Sequence, residues 1–142
     1  MTVIAWDGKT LAADKRGTRG GLPVTVTKIR RIGDVIAGVS GNAAHVGELF
    51  KWIENGCKHS DYPEFQKDED ENSTLIVIRD DRCFIYTSTA YPVEIEDNFF
   101  ASGSGRDFAI AAMHLKLNAV EAVRVACLFD INCGNGIEYL EV

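Results

Sequence analysis

The chain has 142 residues, 46% of them apolar and 25% charged, the balance of a soluble globular protein able to bury roughly two thirds of its unfolded surface in one core. A single domain over residues 1–142 is the expectation, with the cytoplasm as its location, because no apolar run reaches membrane-span length and no signal-peptide pattern opens the chain. A formal charge of −6 and a pI of about 5.0 repel phosphate backbones and acidic lipid, so neither nucleic acid nor membrane is expected as a partner.

Residues 2–6 alternate and are rich in β-formers, Asp7-Gly8 is a hairpin signal, and residues 10–13 return as a second strand ending at Asp14. Thr2 is preceded only by Met1, and so small a side chain permits removal of the methionine. A threonine at a free N-terminus carries both a hydroxyl that attacks carbonyls and an α-amine that takes the hydroxyl's proton. The reference pKa of that amine, about 7.7 to 8.0, suits a base working near neutrality. Termini ordinarily fray, so anchoring this one in a hairpin from its first residue signals that its position matters.

The basic, glycine-rich stretch 15–21 reads as a flexible connection. Residues 24–32 and 35–40 follow as strands about a Gly33-Asp34 turn, with Lys28 inside the first. Helical spacing runs over 42–55, with Asn42 as N-cap, Val46, Leu49, Phe50 and Ile53 on one face, and Gly56 as the stop. Residues 58–72 are polar and acidic, a solvated loop to which no chemistry is assigned. Strands over 73–79 and 82–88 flank Asp80-Asp81, and shorter extended pieces cover 92–95 and 98–101. The turn Ser102-Gly103-Ser104-Gly105 opens a helix over 106–117 with Phe108, Ala112 and Leu115 on its inward face. A second helix, 119–129, places Val120, Val123 and Cys127 inward behind an Asn118/Glu121 cap. A loop over 130–136 leads to a last strand, 137–142. Strands joined by short turns and three amphipathic helices together predict antiparallel sheets covered by helices, a layered α/β sandwich.

The four cysteines show no CxxC pairing and the three histidines are scattered, so no metal site is expected. Cys83 and Cys127 read as core residues, whereas Cys133 falls in a glycine-containing turn open to solvent. Gly103-Ser104-Gly105 offers N–H groups to a phosphate, but neither the third glycine of a dinucleotide fingerprint nor a Walker lysine accompanies it. Asp130-x-Asn132 starts like a calcium loop, yet Gly134 and Asn135 stand where an oxygen ligand and then a glycine are needed. No cofactor is expected.

Taken in order, these segments closely resemble the proteasome β-subunit and HslV-type peptidases, a branch of the N-terminal-nucleophile hydrolases. Met1-Thr2-Val3-Ile4 resembles the family's mature N-terminus, and residues 12–18, AADKRGT, its second strand and following loop. Residues 27–32, TKIRRI, are similar to its lysine-bearing strand. Residues 37–42, AGVSGN, are similar to the segment with its oxyanion glycine, Gly103-Ser104-Gly105 to its accessory serine turn, and Asp130-x-x-Cys133-Gly134 to its late aspartate turn. The chain departs in a shorter first hairpin, in Cys133 where serine is common, and in a region after Gly56 too short and polar for the usual second long helix.

The resemblance implies a four-layer αββα sandwich of two antiparallel sheets flanked by helices. It implies Thr2 as nucleophile and base, Lys28 paired with Asp14 beside it, Gly41 as oxyanion donor, and Ser104 and Asp130, with Cys133 as an accessory, orienting the amine. Thr18, Val39 and Gly41 would bind the substrate, a peptide or an unfolded protein. It further implies a homo-oligomeric ring and an ATPase unfoldase to feed it. A non-catalytic ring scaffold and an amidase acting on small molecules are the alternatives.

Overall fold

The computed structural model describes residues 2–142; Met1, whose removal the sequence raises, lies outside the described residues. Two antiparallel sheets carry the architecture. The first has the strand order β10-β1-β2-β11, from β1 (Ile4–Trp6), β2 (Thr10–Asp14), β10 (Phe100–Ser102) and β11 (Ile137–Glu141). The second runs in sequence order through β5 (Ile29–Ile32), β6 (Val35–Ser40), β7 (Thr74–Arg79), β8 (Arg82–Tyr86) and β9 (Val93–Ile95).

Because successive side chains of a strand point to opposite faces, each sheet contributes to two cores. Ile4, Trp6, Leu11 and Ala13 of the first sheet meet Ile29, Ile36, Ile76 and Ile78 of the second in the central layer. Val3, Ala5 and Ala12, on the other face of the first sheet, pack under helices α2 (Arg106–His114) and α3 (Ala119–Phe129). Ala37, Val39, Leu75 and Val77, on the other face of the second, pack under α1 (Val46–Glu54). Both sheets are thus covered on both faces, which is why β1, β2, β6 and β7 read as nearly unbroken apolar runs. The result is the four-layer αββα sandwich.

The structure revises four of the local expectations. The stretch 15–21 is no loose connection: β3 (Arg16–Arg19) and β4 (Leu22–Thr25) form a two-stranded ribbon that turns at Gly20-Gly21. The strand expected over 24–32 is broken at 26–28, between β4 and β5, and Lys28 sits in that break. The polar segment 58–72 folds into two short 3-10 turns that bury Tyr62 and Gln66. Finally, α2 and α3 bury Ala109, Ala112, Met113, Ala119, Ala122, Val123 and Ala126, whereas Phe108 and Leu115 are exposed. The helices present mostly alanines to the sheet, with Met113 and Val123, while Phe108 and Leu115 are displaced outward. Asn118 caps α3 through both bonds of a capping box with Glu121, as expected.

Candidate active site

Thr2 lies at the entry to β1 and is 4% exposed. Its carbonyl accepts the Gly105 N–H at 3.1 Å, and its nitrogen donates to Ser104 Oγ at 3.2 Å. The chain passes so close here that a methyl group added at Gly103 would overlap the Thr2 carbonyl, and Gly103 has φ +97°, a conformation that side chains rarely adopt. The turn before α2 therefore clamps Thr2 by its backbone and leaves its side chain to face a cleft.

Asp14, at the end of β2, is fully buried and accepts four hydrogen bonds. Oδ1 takes the Lys28 ammonium at 2.7 Å and the Val3 N–H at 3.1 Å. Oδ2 takes the N–H groups of Arg16 at 3.2 Å and Gly134 at 3.0 Å. A buried carboxylate is costly unless its lone pairs are satisfied, and this one is saturated. It thereby joins the strand that carries Thr2, the segment that carries Lys28, the start of β3 and the loop after α3. Arg16 reinforces the last connection: its guanidinium donates to the Ile131 carbonyl at 2.8 Å and to Asn135 Oδ1 at 2.9 Å.

Asp130, the C-cap of α3, accepts the Asn132 N–H at 2.9 Å and the Cys133 thiol at 3.4 Å. Desolvation raises the pKa of its carboxyl, but hydrogen bonds from Asn132, Ser104 and Cys133 outweigh that and hold it below the usual value. Cys133 is buried, not open to solvent as its glycine-containing turn suggests. Burial first, then the negative charge of Asp14 and its bond to Asp130, push its thiol up to about 12, so it stays a neutral donor.

A cleft of about 740 Å³ opens beside these groups and is lined by Thr2, Thr18, Lys28, Val39 and Gly41 among others. Thr18 is an exposed residue of β3, Val39 a buried one of β6, and Gly41 follows β6 directly. Every site residue named from the sequence thus falls either on this cleft or in the hydrogen-bond network behind it. In the sequence, Gly103, Arg16 and Gly134 appear only as members of motifs, with no role of their own. For Gly103 the signal was present, since a glycine preceding a site serine at a helix start is where close backbone approach is needed.

No family model matches the chain. It is 33% identical over 130 residues to the ATP-dependent protease subunit HslV of Pseudothermotoga lettingae, an alignment covering 79% of this chain and 74% of that one. Among solved structures, Thiobacillus denitrificans BPH in complex with epoxomicin superposes with a TM-score of 0.77 at 21% identity, covering 100% of this chain and 98% of that one. HslV of Trypanosoma brucei gives 0.65 at 22% identity, covering 99% of each. The fold is that of the N-terminal-nucleophile hydrolases. Within that class, the chain belongs to the HslV-type proteasome β-subunit family.

Proposed function

We propose that this protein is a threonine-type endopeptidase in which Thr2, exposed as the N-terminus by removal of Met1, is the nucleophile and its own α-amine the general base. The observation that carries this reading is the Thr2 nitrogen 3.2 Å from Ser104 Oγ, on a cleft shared with a Lys28 ammonium fixed by saturated Asp14. The amine takes the hydroxyl proton as Oγ adds to the peptide carbonyl. It then passes the proton to the leaving amine as the C–N bond breaks, leaving an ester on Thr2. Water, deprotonated by the same amine, hydrolyses the ester and frees Thr2.

Lys28 places positive charge where the hydroxyl develops negative charge. Gly41 donates its N–H to the oxyanion, while Ser104, with Asp130 and Cys133 behind it, orients the amine. Thr18 lies on β3, which pairs with β4 along one edge and with no other strand among the described residues, so an extended peptide adds as a further strand. Val39 lines the pocket for the residue before the scissile bond and favours an apolar one. A ring scaffold without chemistry has no use for a buried ion pair, which contributes little net stability. A long open cleft beside a free strand edge suits an extended chain better than a small amide.

In this reading residues 1–142 act as one unit in a closed homo-oligomeric ring in the cytoplasm, as sequestration of an unselective peptidase requires. An ATPase unfoldase delivers its unfolded substrates, a role supported by the name of the Pseudothermotoga relative. Thr2→Ala should abolish cleavage of a fluorogenic peptide panel while leaving ring size unchanged in light scattering. Cleavage by the variant at the wild-type rate would sink the assignment.

A further inference from the structure

The oxyanion turn rests on a group that lies outside the cleft. Gly41 follows β6 with φ +132°, and a glycine there has wide conformational freedom unless something outside the turn restrains it. On one side β6 holds Ser40. On the other, Ser73 Oγ accepts the Asn42 N–H at 3.1 Å and so fixes the peptide plane that follows Gly41. The approach is close: a methyl group at Gly41 would lie 2.6 Å from Ser73 Oγ.

Ser73 is itself braced. It is 1% exposed, its hydroxyl lies 2.9 Å from His45 Nδ1, and the His45 ring stacks on Phe65 with centroids 3.6 Å apart. Its backbone is gripped from both directions by fully buried Gln66, which accepts the Ser73 N–H at 2.7 Å and donates to the Ser73 carbonyl at 2.9 Å. The segment 58–72, to which the sequence assigned no chemistry, supplies both Phe65 and Gln66.

We infer that Ser73, oriented by His45, is a positioning residue that holds Gly41 with its N–H aimed at the oxyanion. This rests on the reading of Gly41 as the oxyanion donor. A hydroxyl acting through the turn should matter when the tetrahedral oxygen forms and matter little when peptide merely binds.

The test compares wild type, Ser73→Ala and His45→Phe as assembled, processed protein. The histidine variant keeps an aromatic ring on Phe65 and loses both ring nitrogens, among them the Nδ1 beside Ser73. Three probes are used: a fluorogenic peptide, a peptide aldehyde and a peptide vinyl sulfone. The aldehyde needs an oxyanion site for its hemiacetal. The vinyl sulfone labels the nucleophile by adding it to an alkene, without forming that oxygen.

Ser73→Ala should lower kcat by about 10- to 100-fold with KM within about 2-fold, less than the loss of a direct oxyanion donor. Aldehyde affinity should fall in proportion while vinyl sulfone labelling holds its rate, and His45→Phe should show the same pattern at smaller amplitude. Unchanged hydrolysis in both variants would overturn the inference, as would an equal fall in hydrolysis and vinyl sulfone labelling, which marks damage to the nucleophile. If wild type neither hydrolyses peptide nor takes up vinyl sulfone, it is the Thr2 reading that fails.

Discussion

Asp14 makes the site rigid and also makes it vulnerable, because the two members of its ion pair with Lys28 are not equivalent. Removing the carboxylate takes away at once the acceptor of the Lys28 ammonium and of three backbone N–H groups, whereas removing Lys28 leaves a carboxylate that still accepts those three N–H groups. Asp14→Ala should therefore cost about 3–5 kcal/mol in denaturant unfolding, and Lys28→Met distinctly less at the same protomer concentration. Equal losses would show that the backbone donors contribute nothing to holding the charge. Lys28→Met should still lower peptide turnover by at least about 100-fold, as loss of transition-state electrostatics does in other hydrolases.

Cys133 gives a pH signature. Its folded-state pKa is raised from 9.0 to about 12, so its contribution to stability is complete below pH 9 and is lost as pH rises toward 12. Cys133→Ser should weaken that alkaline loss, measured as Tm between pH 8 and 11, and should keep activity because a hydroxyl donates to Asp130 at least as well as a thiol. An unaltered alkaline profile would place its cause elsewhere, for instance at Cys83, which desolvation also pushes up to about 12. What the sequence revealed at this scale was residue type and order: a hydroxyl at position 2, a carboxylate, a lysine and a late aspartate turn. Gln66 and Ser73 were hidden because a polar side chain buried by a tertiary contact leaves no local pattern.

The secondary-structure elements show where periodicity stops being informative. In α1 the apolar stripe is continuous, and Leu49, Phe50 and Ile53 are buried as expected. In α2 and α3 alanine and aliphatic residues are spread over more than one face, so hydrophobicity alone does not set the phase of the helix. Distance to the sheet sets it, and the sheet admits alanines. Ala126 illustrates the limit: it is fully buried in the core that α2 and α3 form with the first sheet, and enlarging it to leucine should destabilise by about 1–3 kcal/mol through overpacking. The reverse change at exposed Leu128, leucine to alanine, should be nearly neutral. The β3–β4 ribbon was missed for another reason. Its residues are basic and glycine-rich because it borders an open cleft and packs little core, so it lacks the apolar alternation by which strands are recognised.

At the scale of the whole molecule, a layered sandwich of antiparallel sheets and helices was legible from strand and helix patterns, whereas the αββα order came from the family resemblance. Assembly is not written in any local pattern, and the ring proposed above rests on the family alone. The central claim is narrower than assembly: Thr2, freed of Met1, is the attacking group. An epoxyketone peptide tests it directly, because that warhead needs both the hydroxyl and the free amine of one N-terminal residue. Incubation of the assembled protein followed by intact-mass and peptide analysis should show Met1 absent and one inhibitor added per active subunit, on Thr2, with Thr2→Ala unlabelled. Peptide hydrolysis by protein that retains Met1, or labelling that persists in Thr2→Ala, would contradict the account.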